Sequence, residues 1–335
     1  MELLLDFAQT FATQLQKPAL AFLLGGMALA AFGSKLNIPD SIYRFIVFML
    51  LIRIGIEGGI EIRNAEISEI ALPALMAIVI GVVAVLLGRV TLAALPSVKT
   101  EDGLATAGLF GAVSASTMAA GMLTLEQDNV FFEAWVPALY PFMDTPALIV
   151  AIVLASFATQ EQSGGGDKTI RVWPIIKDSL QSSALSALIL GLVLGLITRP
   201  DPVYEEFYDP LFSGFLSVLM LIMGIEAWSR LSELAKVAHW FAVYAIIGPL
   251  VNGFIGFGLG YLAHIATGFS PGGVILLAII AASNSDISGP PTLRAGIPTA
   301  NPSAFIGSST AIGTPIAIAV CIPLFLALGK AVFSL

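Results

Sequence analysis

The sequence predicts an all-α polytopic membrane protein whose ten transmembrane helices form two inverted five-helix repeats with discontinuous, crossing helices. Three observations support this fold class. Of the 335 residues, 57% are hydrophobic and 11% are charged, whereas charged residues make up about 25% of a soluble globular domain. Long apolar runs recur along the whole chain, and short sequence matches recur at one fixed offset.

Ten segments are long and apolar enough to span a bilayer, which takes about 20 residues each. The first five are 17–34, 41–60, 69–95, 103–124 and 133–158, and the second five are 174–198, 209–228, 237–265, 272–298 and 302–333. The residues before them include Glu2 and Asp6 but no basic residue, so an interfacial segment is expected there rather than a signal peptide.

The chain divides into a first repeat (1–160), a linker (161–170) and a second repeat (171–335). The linker is polar and glycine-rich and has no apolar face to bury. Ten of the fifteen Lys and Arg residues fall on the linker side of the ten spans and five on the other side. The positive-inside rule then places the linker in the cytoplasm and both termini on the non-cytoplasmic side.

Three separate matches share an offset of 169 residues. Ser114 and Ser116 match Ser283 and Ser285, Gly55-Ile56-Glu57 matches Gly224-Ile225-Glu226, and Thr145-Pro146 matches Thr314-Pro315. Because each half has an odd number of spans, the second half enters the membrane from the opposite side. Inverted repeats of this kind are typical of transporters, since two mirrored packings give outward-open and inward-open states.

Two polar stretches interrupt the apolar spans, Ser114–Thr117 and Ser283–Pro291. Each follows eleven residues of its span, or about 16 Å of helix, and so lies near the bilayer midplane. The sequence Gly289-Pro290-Pro291 does not continue a regular helix, because proline lacks the N–H donor. Backbone N–H and C=O groups without a helical hydrogen bond at this depth must line a cavity or be buried in protein. The two polar stretches therefore predict two discontinuous helices.

Crossing broken helices can bind an anion with freed N–H groups and a cation with freed carbonyls. Neither stretch contains Lys or Arg, which favours a small, singly charged oxyanion. The candidate substrate-binding residues are Ser114, Ala115, Ser116, Thr117, Ser283, Asn284 and Ser285. The candidate sodium-binding residues are Asp144, Thr145, Asn284, Asp286, Ser116 and Thr314, which supply the oxygen ligands that a hard cation prefers.

Structural interpretations of the same residues remain open. The serines can serve close helix packing, and Asp144 can be an interfacial acid that is hydrogen-bonded to Tyr140 or to a helix N-terminus. Glu57 and Glu226 can be wetted acids at the ends of their spans, or they can form structural pairs with Arg53 or Arg230. Asp144-Thr145-Pro146 predicts a buried acid beside a helix break inside the fifth span. Gly313 replaces the acid at the position that matches Asp144, so the two halves differ chemically there.

Several other classes of function are disfavoured. Cys321 is the only cysteine, so no intramolecular disulfide can form. A net charge of −8 and two histidines argue against nucleic-acid binding and a histidine-built metal centre. No histidine or lysine lies in either polar stretch to activate a serine, so an enzyme is not expected, nor is an organic cofactor. A sodium/proton antiporter that uses Asp144 and Asp286 is the alternative within transport.

Several segments resemble the cyanobacterial sodium-dependent bicarbonate transporter family, and together they cover nearly the whole chain. They are Gly108–Ala120, Tyr140–Asp144, Phe207–Phe212, Met223–Arg230 and Ser285–Pro298. The resemblance implies sodium-driven bicarbonate uptake across the plasma (inner) membrane within a carbon-concentrating mechanism. It also implies a homotrimer regulated by a PII-like protein that binds adenine nucleotides.

The two polar stretches both fall in the last three spans of their half. This placement predicts a core transport domain of spans 3, 4, 5, 8, 9 and 10 that moves against a scaffold or gate domain of spans 1, 2, 6 and 7.

Overall fold

The computed structural model describes residues 18–36, 38–64, 67–162, 173, 177, 181, 183–234 and 239–335, and this part of the chain is helical with no strand. The predicted N-terminal interfacial segment and most of the linker lie outside the described residues. The helices of the first half are α1 (Pro18–Ala31), α2 (Asp40–Asn64), α3 (Ile67–Thr91), α4 (Thr100–Gly111), α5 (Ala115–Gln127) and α6 (Tyr140–Gln162).

The second half contains α7 (Ser183–Ile197), α8 (Asp209–Leu234), α9 (His239–Thr267), α10 (Pro271–Ala282), α11 (Gly289–Gly296) and α12 (Pro302–Phe333). A 3₁₀ turn at Val136–Leu139 leads into α6, and a π turn at Tyr204–Tyr208 leads into α8. Within α12, the helix widens into π turns at Ser309–Gly313 and Ala317–Cys321.

By length and composition, six of the described helical stretches can cross a membrane. They are Ser68–Thr91, Thr100–Gln127, Val136–Thr159, Asp201–Ser229, His239–Thr267 and Pro302–Phe333. Shorter apolar helices cover Ala21–Ala31, Leu185–Ile197 and Pro271–Ala282. The chain is therefore a multi-pass helical membrane protein, and the count of ten spans stays a prediction.

Glycines bring two helix pairs into backbone contact. On α2, Gly55 approaches the backbone of Leu188 and Gly191 on α7. On α8, Gly224 approaches the backbone of Leu23 on α1. Small residues allow this close approach between membrane helices. The two glycines are 169 residues apart in the sequence, and each of them packs on a helix of the other half.

The remaining helices form a second group around α4 and α5. In this group α3 packs against α4, α6 and α9, while α10 packs against α5, α9 and α12. Across the α4–α5 stretch, 94% of the most apolar window is buried inside the protein. The predicted site at the junction of α4 and α5 therefore lies at the centre of the described structure.

The start of α10 shows how the sequence fixes a helix end inside this group. Ser270 is the N-cap, and its hydroxyl accepts the Gly273 N–H at 2.9 Å. Glu133 accepts both the N–H of Ser270 at 2.8 Å and its hydroxyl at 2.6 Å. These contacts satisfy donors that a helix N-terminus otherwise leaves unpaired.

One sequence expectation was wrong. The Thr145-Pro146 pair was expected to break the fifth span, but α6 runs without interruption from Tyr140 to Gln162 with Pro146 inside it. A proline removes one donor and bends a helix, and packing against α3 and α4 keeps this one helical. The matching Thr314-Pro315 lies between the two π turns of α12, where the backbone departs from the regular α-helix.

Candidate substrate and cation site at two helix breaks

The first break separates α4 from α5. After Gly111 the chain is extended at Ala112, and α5 begins at Ala115. Ser114 is the N-cap of α5, and its hydroxyl accepts the N–H of Thr117 at 3.2 Å. Serine is a preferred N-cap because its side chain replaces the missing helical acceptor. The predicted interruption of this span is confirmed.

The second break separates α10 from α11. Ser283 is extended directly after α10, and α11 begins at Gly289 with Pro290 and Pro291 in its first turn. Proline is tolerated there because the first N–H groups of a helix have no intrahelical partner. Asn284 and Ser285 thus lie in the non-helical segment, and both are fully buried.

The two breaks contact each other directly. The N–H of Ser114 donates to Oγ of Ser283 at 3.0 Å, and the N–H of Ser285 donates to the carbonyl of Leu109 at 2.9 Å. Backbone groups released at each break are therefore partly satisfied by the other break, as buried polar groups must be.

Asp286 joins the second break to the hydroxyls of the first. Its Oδ2 accepts hydrogen bonds from Ser116 at 2.9 Å and from Ser114 at 3.3 Å, and the two hydroxyls lie 2.8 Å apart. Both serines are fully buried, whereas Asp286 is partly exposed. This trio brings together three of the predicted site residues.

Asp144 forms a second group. Its Oδ1 accepts the N–H of Val113 at 3.0 Å, and Ser288 donates to the carboxylate at 3.2 Å. The hydroxyl of Ser288 also lies 3.3 Å from Tyr140 and 3.0 Å from Ser285. Asp144 is fully buried inside the protein, and its partner Val113 directly precedes the N-cap of α5. Its carboxylate is bonded to both breaks.

Asn284 forms a third group with α12. Its Nδ2 donates to Oγ of Ser309 at 2.6 Å and to Oγ1 of Thr314 at 2.9 Å. Ser309 in turn donates to the carbonyl of Ser285 at 3.3 Å. The π turn that begins at Ser309 therefore supplies groups that orient the second break, which is a common use of π turns at functional sites.

Three oxygens in these groups are buried without a hydrogen-bond partner among the described residues: Asp286 Oδ1, Asn284 Oδ1 and Thr117 Oγ1. An unpaired buried oxygen costs about 1–3 kcal/mol unless something binds it. All three belong to the predicted site. Carboxylate, amide and hydroxyl oxygens are the ligands that a sodium-like hard cation takes, so the donor set fits such an ion.

A cavity of about 1100 Å³ opens from one end of the protein to Asp286. It runs between α2 and α8 on one side and α11 and α12 on the other. Its polar lining residues include Asp40, Tyr43, Arg44, Glu226, Asp286 and Arg294. Asp286 is thus the point at which the cavity meets the buried hydroxyls of Ser114 and Ser116.

Most of the predicted residues meet at this crossing. Ala115 and Thr117 lie in the first turn of α5, and Thr145 follows Asp144 on α6. Ser288 and Ser309 were not among the predicted site residues. Ser288 directly precedes α11, and Ser309 lies between two other hydroxyl residues, Ser308 and Thr310. Small hydroxyl residues in apolar spans equally indicate helix packing.

Outside the crossing, Glu57 forms a structural pair with Arg53, which is one of the two interpretations that the sequence left open. Arg53 forms ion pairs with Glu57 and with Asp209, and it is only 4% exposed. These residues belong to α2 and to the start of α8. They are separate from the crossing.

Broken helices that meet inside an apolar bundle, with acids and hydroxyls at the crossing and a cavity that reaches them, define an ion-coupled membrane transport protein. The family comparison agrees with this class. Residues 18–330 match the model of the Na⁺-dependent bicarbonate transporter superfamily, and the chain belongs to that family. It is thus a transporter and not an enzyme. A search of curated proteins gave no match.

Proposed function

We propose that this protein is a symporter that imports bicarbonate together with sodium by alternating access. The observation that carries the proposal is the Ser114–Ser116–Asp286 trio at the inner end of the cavity. There, hydroxyl donors already hold a carboxylate oxygen. A hydroxyl pair that holds one planar oxyanion is suited to another of similar geometry, and bicarbonate is such an anion.

In this proposal the anion is bound by the two breaks. The hydroxyls of Ser114, Ser116 and Ser283 and the first turn of α5, with Ala115 and Thr117, face it from one side. Asn284 and Ser285 face it from the other. Helix N-termini and hydroxyl donors favour an anion without any fixed positive side chain. Such a site releases a monovalent anion more readily than an arginine clamp would.

Sodium is proposed to bind next to the anion. Asp286 and Asn284 each have an oxygen without a hydrogen-bond partner among the described residues, and Ser116 and Thr314 lie beside them. Asp144 and Thr145 complete the set on α6. The positive ion reduces the repulsion between Asp286 and the incoming anion, which makes binding of the two ions mutually favourable.

The energetics require such coupling. Moving one anion into a negative interior costs about 2.3 kcal/mol per 100 mV. One sodium ion per bicarbonate cancels that charge. A tenfold sodium gradient then supplies about 1.4 kcal/mol, enough for roughly tenfold accumulation.

The two halves are proposed to be inverted five-span repeats. A core made of α3–α6 and α9–α12 would carry the site, and a scaffold made of α1, α2, α7 and α8 would hold it in the membrane. Gly55 of the first half packs on α7 of the second half, and Gly224 of the second half packs on α1 of the first half. These contacts support this arrangement. With the basic loops in the cytoplasm, the cavity opens inward and both termini lie outside.

The family resemblance adds further proposals about cellular context. We place the protein in the plasma (inner) membrane as a homotrimer that serves a carbon-concentrating mechanism under control of a PII-like protein. Arg44 and Arg294, which line the cavity, would then face the compartment in which that regulator acts.

Uptake of labelled bicarbonate into proteoliposomes tests the proposal. Uptake should require an inward sodium gradient and should be lost in Ser116→Ala. Arg44→Gln, at the exposed mouth of the cavity, is the control and should transport normally. Bicarbonate uptake that is indifferent to sodium would overturn the proposal, and sodium-driven proton flux without bicarbonate would identify the antiporter instead.

A further inference from the structure

A second cavity lies at the far ends of α2 and α7, away from the large cavity. α2 begins at Asp40, at the mouth of the large cavity, and it ends at Asn64. The second cavity has a volume of about 540 Å³ and lies where α2 and α7 end. Its lining residues are Arg63, Leu196, Ile197, Thr198, Arg199 and Asp201. All of them lie outside the crossing.

The two arginines of this cavity form no ion pair with any described residue. Of the basic residues predicted on this side of the membrane, the structure describes Arg53, Arg63, Arg199 and Lys330. Arg53 and Lys330 are paired with acids, and Arg63 and Arg199 are not. Since Asp201 also lines the cavity, the two arginines and this aspartate together give a net charge of +1.

Both guanidinium groups have hydrogen-bond donors to offer. Nη1 of Arg63 donates to the carbonyl of Thr198 at 2.8 Å and to that of Gly195 at 3.4 Å. These contacts hold Arg63 against the end of α7. A guanidinium has five N–H donors, so most donors of Arg63 stay available, and Arg199 forms no hydrogen bond with any described residue.

The wall of the cavity is apolar on the side of α7. Leu196 and Ile197, at the end of this apolar helix, are 43% and 72% exposed. Arg199 follows only two positions later. Exposed apolar side chains at the end of a span contact lipid chains, whereas arginine side chains reach toward the headgroups. The cavity therefore lies at the boundary between the two.

Helix packing does not account for the two arginines. At the offset of 169 residues, Arg63 corresponds to Ser232, and Arg199 corresponds to Ala30. The corresponding helix pair, α8 with α1, has the same close glycine contact as α2 with α7. This kind of helix pair therefore forms without arginine at either position.

We propose that the second cavity binds the phosphate group of an anionic phospholipid. The planar guanidinium group binds phosphate oxygens through two parallel hydrogen bonds, and basic pockets between membrane helices bind lipid headgroups. A net charge of +1 matches the single negative charge of a phosphodiester such as that of phosphatidylglycerol. The exposed side chains of Leu196 and Ile197 would contact the acyl chains of the same lipid.

The bound phosphate would join two helices of the proposed scaffold. Arg63 lies in the last turn of α2, and Arg199 lies just beyond α7. A phosphate held by both arginines fixes these two helix ends to each other and to the level of the headgroups. The site is separate from the crossing, and its binding is measured without transport, so the inference does not depend on the symport.

Native mass spectrometry of the purified protein tests the site. The probes are phosphatidylglycerol and phosphatidylcholine with identical acyl chains. Wild-type protein should bind phosphatidylglycerol at least about tenfold more tightly, since hydrogen bonds between charged groups are strong. Arg199→Ala introduces the residue type of the corresponding position and removes no contact with a described residue. It should abolish most of this preference, and Arg199→Lys should retain part of it.

The matched control is Arg44→Gln, which changes an exposed arginine at the mouth of the large cavity. It should leave the preference for phosphatidylglycerol unchanged. The inference is overturned if wild-type protein binds the two lipids equally, if Arg199→Ala keeps the preference, or if Arg44→Gln weakens it as much as Arg199→Ala does.

Thermal unfolding in detergent separates a lipid from a free anion. Phosphatidylglycerol should raise the unfolding temperature of wild-type protein more than that of Arg199→Ala, and phosphatidylcholine should show no such difference. Inorganic phosphate should not reproduce the effect, because it lacks the acyl chains that contact Leu196 and Ile197. Equal stabilisation by inorganic phosphate would identify a site for a soluble anion and would also overturn the inference.

Discussion

The N–H of Ser114 donates a hydrogen bond to Oγ of Ser283 at 3.0 Å, although the two residues are 169 positions apart. They are also the first residues of the two matching polar stretches. The contact therefore joins corresponding points of the two halves. Since each break supplies groups that the other requires, a change in one stretch is expected to affect both.

Asp286→Asn should abolish sodium-dependent uptake. The amide oxygen can still accept from Ser116, so the fold of the crossing is retained while the negative charge is lost. Bicarbonate uptake at several sodium concentrations measures the effect, and we expect a fall of more than tenfold. Asp40→Asn, on an exposed acid at the cavity mouth, is the control. Normal sodium dependence in Asp286→Asn would exclude this acid as a sodium ligand.

Ser309→Ala should impair transport, whereas Ser308→Ala should not. Ser309 accepts from Asn284 and donates to the carbonyl of Ser285. Ser308, equally buried, donates only to the carbonyl of Phe305 in its own helix. Loss of the Ser309 contacts costs about 1–3 kcal/mol, which corresponds to about five- to 150-fold in uptake rate. Equal rates in the two variants would contradict the orienting role of Ser309.

Gly313→Ala should lower stability and transport together. A Cβ at this position would lie 2.7 Å from Cζ of Phe110 and 2.8 Å from Oδ1 of Asn284. Overpacking of this kind costs about 1–3 kcal/mol. Thermal unfolding in detergent measures it, with Gly258→Ala as the control, because a Cβ there has open space around it. A wild-type unfolding temperature in Gly313→Ala would show that Phe110 moves aside at little cost.

Asp144→Asn and Asp144→Ala should differ. The asparagine keeps an acceptor for the Val113 N–H and a polar group for Ser288, so its unfolding temperature should stay near wild type. The lost charge should raise the half-saturating sodium concentration about tenfold. The alanine leaves the Val113 N–H unpaired and should also lower the unfolding temperature. An asparagine variant with unchanged sodium dependence would limit Asp144 to a structural role.

The breaks themselves were predictable from the sequence, because serine-rich and Pro-Pro segments inside apolar spans seldom continue a regular helix. The three groups at the crossing were not. Whether Asp286 contacts Ser116 or Thr314 depends on how two helices cross, and one sequence carries no information about that angle. Ser309 was missed for the same reason, since its partner Asn284 is 25 positions away, in the break between α10 and α11.

At Pro146 the sequence predicted a break that the structure does not have. The pattern Asp144-Thr145-Pro146 indicated a break, and local propensity alone supports that interpretation. The packing of α6 against α3 and α4 decided otherwise. Neighbouring membrane helices commonly stabilise an internal proline, and the sequence of one helix does not show which neighbours it has.

The glycine contacts between α2 and α7 and between α1 and α8 restrict how this protein can move. Where backbones touch, as at Gly55 and Gly224, neither sliding nor rotation of the pair is possible without a collision of main-chain atoms. We therefore expect each pair to move as one unit. The contact of α5 with α2 and α8 is different, because it includes larger and more flexible side chains such as Met118 and Met122. Methionine side chains can repack, so this contact can open and close more easily than the glycine contacts.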